Sequence, residues 1–105
     1  MKKSALRELG AFVPDEPENV TVEWETKDGE QRRADIAVRH LSFSAMEKLE
    51  AGTPGFLARL VMACAVFDGE QLTQAEVEDL EPRFARALVQ KILAMHGSGS
   101  DAPND

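Results

Sequence analysis

The sequence predicts an α+β domain: a short N-terminal helix and an antiparallel β-hairpin packed on a C-terminal bundle of about four helices. Three observations lead there. Apolar and polar residues alternate on both sides of an Asp-Gly pair between Val20 and Val38. After residue 43 the apolar period lengthens to that of a helix, and helix-start signatures recur. The chain has 105 residues, 43% of them hydrophobic, which suits one domain with one modest core.

Residues 1–13 read as a short amphipathic helix. Leu6, Leu9 and Phe12–Val13 recur at roughly helical spacing, and Ser4 is the cap candidate, although Gly10 counts against the assignment. Pro14–Asn19, "PDEPEN", reads as a linker. The hairpin follows, and parity decides its turn. A two-residue Asp28-Gly29 loop would put the two apolar sets on opposite faces. A three-residue loop, Lys27-Asp28-Gly29, sets Val20, Val22 and Trp24 opposite Ile36, Ala34 and Arg32 on one face, with Gly29 left-handed.

Four helices are then expected. Ser44–Glu47 forms a capping box, and that helix ends at Gly52. Thr53-Pro54 opens the next helix, which runs to about Phe67. Thr73–Glu76 is a second capping box for a helix ending near Leu80. The last helix spans about Pro82–His96, with Phe84, Leu88, Ile92 and Met95 in one stripe and Gly97 as the stop. Residues 1–97 thus read as the domain and 98–105 as a flexible polar tail. The triplet Asp-Gly-Glu occurs twice, at the hairpin turn and at an apparent helix end, and is read as coincidence.

Charge and motifs narrow the function classes. Nineteen acidic and twelve basic residues give a net charge of −7, which opposes nucleic-acid binding. The segment MKKSALRELG lacks the apolar stretch of a signal peptide. No run of about 18 apolar residues is present to span a membrane, so a reducing cytoplasm is the expected location. Calcium is considered because "FDGEQLTQAEVEDL" resembles the end of an EF-hand loop. The register fails: with Gly69 as the invariant glycine, ligand positions fall on Cys64, Val66 and Ala75. No nucleophile, zinc or phosphate-loop motif is found, so no catalytic, cofactor or metal residues are expected. His96 is expected to interact with the end of the last helix, and Cys64 to be an inert buried thiol.

Two features invite a binding role. Phe56–Phe67 carries one charge, Arg59, and Met62 and Val66 lie within about 60° of it on a helical wheel. Either the helix is central and buried on all sides, or the Met62/Val66 side is an oligomer or client interface. The run from Asp68 to Glu81 holds six acids and no base, and Asp15–Glu30 holds seven acids and only Lys27. These are solvated faces or recognise a basic partner, with Glu76 and Asp79 sharing one face.

The order of parts completes the reading. A short helix ends in "GAFVP". Strands follow with "VTVEW", then "VRHLSFSAMEKLE", an apolar helix and "FDGEQLTQAEVEDLEPRFARALVQKILAMHG". Over residues 7–97 the chain resembles the small tail assembly chaperones of long-tailed bacteriophages, the group that contains the lambda-type proteins. The resemblance implies an α+β fold and a non-enzymatic, holdase-like role. It implies as partners the tape measure protein, which such proteins coat, and the tail tube protein, which they help recruit. It also implies absence from the finished virion and, in many cases, a longer form made by ribosomal frameshifting. The surface expected to bind a partner is Leu6, Leu9 and Phe12 together with Met62 and Val66, and a homo-oligomer is a further expectation. The other reading is a small acidic adaptor or inhibitor that masks a basic surface through residues such as Glu76 and Asp79. A third, an unrecognised enzyme, would need a cleft around His40 or Glu76.

Overall fold

The computed structural model describes residues 1–97. The elements are α1 (Lys3–Glu8), β1 (Glu18–Glu25), β2 (Gln31–Val38), α2 (Phe43–Lys48), α3 (Phe56–Cys64), β3 (Ala65–Phe67), β4 (Glu70–Gln71), α4 (Gln74–Glu78) and α5 (Pro82–Met95). The expected tail, 98–105, lies outside the described residues.

The hairpin forms in the three-residue register. Val20 faces Ile36, Val22 faces Ala34 and Trp24 faces Arg32. Thr26 N–H donates to the Glu30 carbonyl at 2.8 Å, and Gly29 takes φ +88°. That conformation costs glycine little and an L-residue more. Val22, Ile36 and Val38 therefore enter the core from one face. The other face is polar, with the Thr21 hydroxyl donating to Asp35 at 2.7 Å.

The sheet does not stop at two strands. All its pairings are antiparallel, in the order β1-β2-β3-β4. The third helix, expected to reach Phe67, ends at Cys64, and Ala65–Phe67 turn into strand β3 beside β2. The cause is the open edge of β2. Ala65 and Val66 pair with Val38 and Ala37, and Arg39 N–H donates to the Cys64 carbonyl at 2.8 Å. An apolar run fits a buried strand as well as a buried helix, and unpaired edge groups favour the strand. Asp68 and Gly69 both have positive φ and form a two-residue hairpin loop to β4. Both Asp-Gly-Glu triplets are thus hairpin turns, which corrects the reading of the second as a helix end.

Two helix starts also differ from expectation. The cap of α2 is Ser42, whose hydroxyl accepts from Ala45 N–H, so Ser44 lies inside the first turn. Ser42 is extended, at φ −70° and ψ 167°, and the helix begins at the next residue, so its hydroxyl is the one placed to reach a first-turn N–H. Helix α3 starts at Phe56 behind a left-handed Gly55, so Thr53-Pro54 belongs to the preceding turn. The Thr73–Glu76 capping box and the proline start of α5 form as expected. In α1, Ser4 is not the cap; Lys2 occupies that position without a side-chain bond.

The C-terminal half is not a four-helix bundle. Strands β3 and β4 interrupt it. Helix α3 packs on α4 and α5, and α5 packs on β1, where Phe84 meets Trp24 edge-to-face at 4.7 Å. The core joins Val22, Ile36 and Val38 of the sheet to Leu60, Val61 and Cys64 of α3 and Leu88, Val89 and Ile92 of α5. Each fully buried Leu, Ile or Val contributes about 1.5–3 kcal/mol before entropy is counted.

Candidate functional site

The polar groups that could do chemistry have structural partners. His96 Nε2 accepts from Leu41 N–H at 2.9 Å, and its Nδ1 lies 2.8 Å from the Ile92 carbonyl, to which it donates in the matching neutral tautomer. The imidazole therefore closes the last turn of α5 and fastens the chain leaving β2. His40 lies 3.3 Å from Glu18, at the same end of the sheet, with its ring centre 6.2 Å from that of His96. Cys64 is fully buried, and burial pushes its thiol up to about 11 despite the Arg39 charge, so it is a poor nucleophile. Among the described residues, no group of three or more His, Cys, Asp or Glu is placed to hold a metal ion.

What remains is apolar surface. A groove of about 350 Å³ runs between α3, α4 and α5. Its floor is Val61, Val77 and Val89, each at most 9% exposed. Ala58 and Ala85 leave room that larger side chains would fill. Leu57 stands at the edge, 52% exposed, and Arg86 and Gln90 supply the polar rim. Local sequence sets the shape. Helix α4 is only five residues long, and Pro82 starts α5 almost at once, so residues of both helices border the groove beside α3. Glu81 holds this corner by accepting from Arg83 and Phe84 N–H and pairing with the Arg83 guanidinium. Against a desolvation push upward, these donors keep its carboxyl below the usual range.

A second apolar region joins the N-terminal arm to the start of α2. Gly10–Pro14 and Leu41–Ser44 line a cleft of about 620 Å³. Phe43 is 81% exposed there, beside Phe12 and Val13. Phe12 is also covered by the Arg7 guanidinium, 4.4 Å from its ring centre.

The residues expected to bind a partner are therefore not one surface. Leu6, Leu9 and Phe12 are exposed on the N-terminal arm. Met62 is half-buried against the core. Val66 is in β3, paired with Ala37 and Gln71, and so does not share a helix face with Met62. Glu76 is spent in the capping box, with Oε1 accepting from Thr73 N–H at 2.9 Å, while Asp79 is the exposed C-cap of α4. The groove was missed because Arg59 was taken to mark the wet side of α3. Its guanidinium instead turns back onto the α2–α3 loop, donating to the Leu49 and Pro54 carbonyls and to Thr53. Leu57, about 160° from Arg59 on the helix, is the exposed apolar residue. That angular relation was the available signal.

Comparison with curated proteins and with solved structures gave no match. A family match does exist, and it covers nearly all of the described chain. Residues 4–95 match the family described as "Phage tail assembly chaperone, TAC", so the chain belongs to the phage tail assembly chaperones and has a chaperone role in tail assembly.

Proposed function

We propose that this protein binds the phage tape measure protein, keeps it soluble and helps recruit tail tube subunits, acting in the host cytoplasm by non-covalent binding and leaving no copy in the mature virion. The observation that carries the reading is the α3/α4/α5 groove with Leu57 at its edge. An apolar floor with a polar rim suits one face of an amphipathic helix laid along it. A long helical client presents such faces repeatedly until a tube encloses it.

The test is co-expression of the tape measure protein with three forms of the chaperone: wild type, Leu57→Asp and Met62→Asp. The wild type keeps the client in the soluble fraction. Leu57→Asp stays folded, because Leu57 is mostly exposed, and loses the client. Met62→Asp lowers the stability of the chaperone itself, because Met62 packs on the core. A client held equally well by Leu57→Asp defeats the groove assignment. Binding that vanishes as salt rises, with Leu57→Asp inert, favours instead the acidic adaptor acting through Asp79 and its neighbours.

A further inference from the structure

We propose that the helix received by the α3/α4/α5 groove carries carboxylates along one edge of its apolar stripe, and that Arg86, with Gln90 one turn beyond it, reads them. The partner segment is thus an acidic amphipathic helix, and Arg86 is the residue that selects it. This selection rests on the reading above that the groove receives a helix.

Helix α5 supplies the long wall of the groove. Pro82, Ala85, Arg86, Val89 and Gln90 fall in one stripe that runs for about 12 Å along the helix. Within the stripe the residues sort by side. Val89 is buried and Ala85 half-buried, while Arg86 and Gln90, each about 100° further round the helix, are exposed. The α3 side of the lining is apolar only, with Leu57, Ala58 and Val61. A helix laid along α5 therefore meets apolar surface on one edge and two polar donors on the other. Those donors are four residues apart, about 6 Å, which matches side chains one turn apart on the incoming helix.

Arg86 is the one charged residue in the lining, and the lining holds no acid. Among the described residues no carboxylate lies within ion-pair distance of it. Local sequence gives the reason. The residues four away on α5 are Pro82 and Gln90, and those three away are Arg83 and Val89, so its own helix offers it no carboxylate. Glu81 is held by the N–H groups of Arg83 and Phe84 and by the Arg83 guanidinium. Glu78 accepts from the Gln74 amide at 3.0 Å, and neither it nor Asp79 lines the groove. A guanidinium at the edge of an apolar floor is complementary to a carboxylate brought by the partner, which it can hold with two parallel bonds.

The charge of the whole molecule acts the other way. A net charge of −7 repels an acidic segment at long range. At about 0.15 M salt the Debye length is about 8 Å, so that repulsion is largely screened while a contact pair at Arg86 is kept. A preference for the acidic segment can therefore come only from contact, and the mean charge of the protein cannot imitate it.

Two synthetic peptides of about 18 residues, long enough to hold a helix, serve as probes. Both carry the same leucine stripe. One has Glu, the other Lys, at two positions one turn apart beside the stripe. Binding to the full chain is read by fluorescence anisotropy at about 0.15 M salt. The Glu peptide should bind about five- to tenfold more tightly than the Lys peptide. Arg86→Glu should reverse that preference with circular dichroism unchanged, because Arg86 is exposed and breaks no ion pair when replaced. Lys91→Glu makes the same change of charge at an exposed residue of α5 outside the groove, and should leave the preference in place. Leu57→Asp should abolish binding of both peptides. Equal binding of the two peptides, a preference for Lys, or equal effects of Arg86→Glu and Lys91→Glu overturns the selection by Arg86 and leaves the groove reading standing. Binding of neither peptide, or binding that Leu57→Asp does not weaken, defeats the groove reading and the selection with it.

Discussion

Replacing Arg59 with methionine should destabilise the protein although it adds apolar character to an apolar helix. The guanidinium makes four hydrogen bonds. Nε and Nη2 reach the Leu49 carbonyl at 3.1 and 2.8 Å, Nη1 reaches the Pro54 carbonyl at 3.0 Å, and Nη2 reaches the Thr53 hydroxyl at 2.6 Å. Water can replace the exposed bonds to Pro54 and Thr53 at little cost. The two on Leu49 are part-buried and share one acceptor, so together they count as little more than one charge-assisted bond. The expected loss is about 2 kcal/mol. For a domain of this size that lowers Tm by roughly 8–15 °C. Arg59→Lys keeps the charge but offers one compact donor, so it should recover no more than about half of the loss. The assay is urea unfolding followed by circular dichroism, read as a shift in midpoint at constant slope. A loss below about 0.5 kcal/mol for Arg59→Met would show that the residue merely dilutes an apolar helix and that the loop does not depend on it.

Two further outcomes follow from the same contacts. His96→Ala removes an acceptor from Leu41 N–H and a donor from the Ile92 carbonyl, both part-buried, and should cost about 2 kcal/mol; amide exchange at Leu41 should rise by more than the global change explains. Burial pushes the Cys64 thiol from its ordinary value near 9.0 up to about 11, so the folded state keeps its proton where the unfolded state loses it. Stability should therefore be complete on this account below pH 9 and fall as pH rises towards 11, by about 2–3 kcal/mol, and Cys64→Ala should lack that component of the slope.

How much of this was legible in the sequence differs element by element. The β1–β2 register could be read because two periodicities met at one glycine: side chains alternate every two residues, and only a three-residue loop puts Val22 and Ile36 on the same face. The second capping box and α5 were equally legible, since a hydroxyl, a glutamate three residues on and a proline at the first turn act on their own backbone. The end of α3 was not. Ala65–Phe67 suits a helix or a strand locally, and the edge of β2 that decides between them lies more than twenty residues away in sequence. The separation of Met62 from Val66 was hidden for the same reason. Met62 and Val66 look adjacent only if the helix continues past Cys64, and the groove takes its wall from three helices at once.

The sequence by itself determined what depends on near neighbours and on totals: the α+β class, the hairpin and its loop, the final helix, the acidic balance and, through its resemblance, a family. Those follow from bonds and periodicities that span a few residues. The tertiary structure alone decided the four-stranded sheet, the inward turn of Arg59, the position of the groove and the isolation of α1. Each of these depends on which distant segment reaches a given edge or cavity first, and pairing across that distance leaves no local pattern to read.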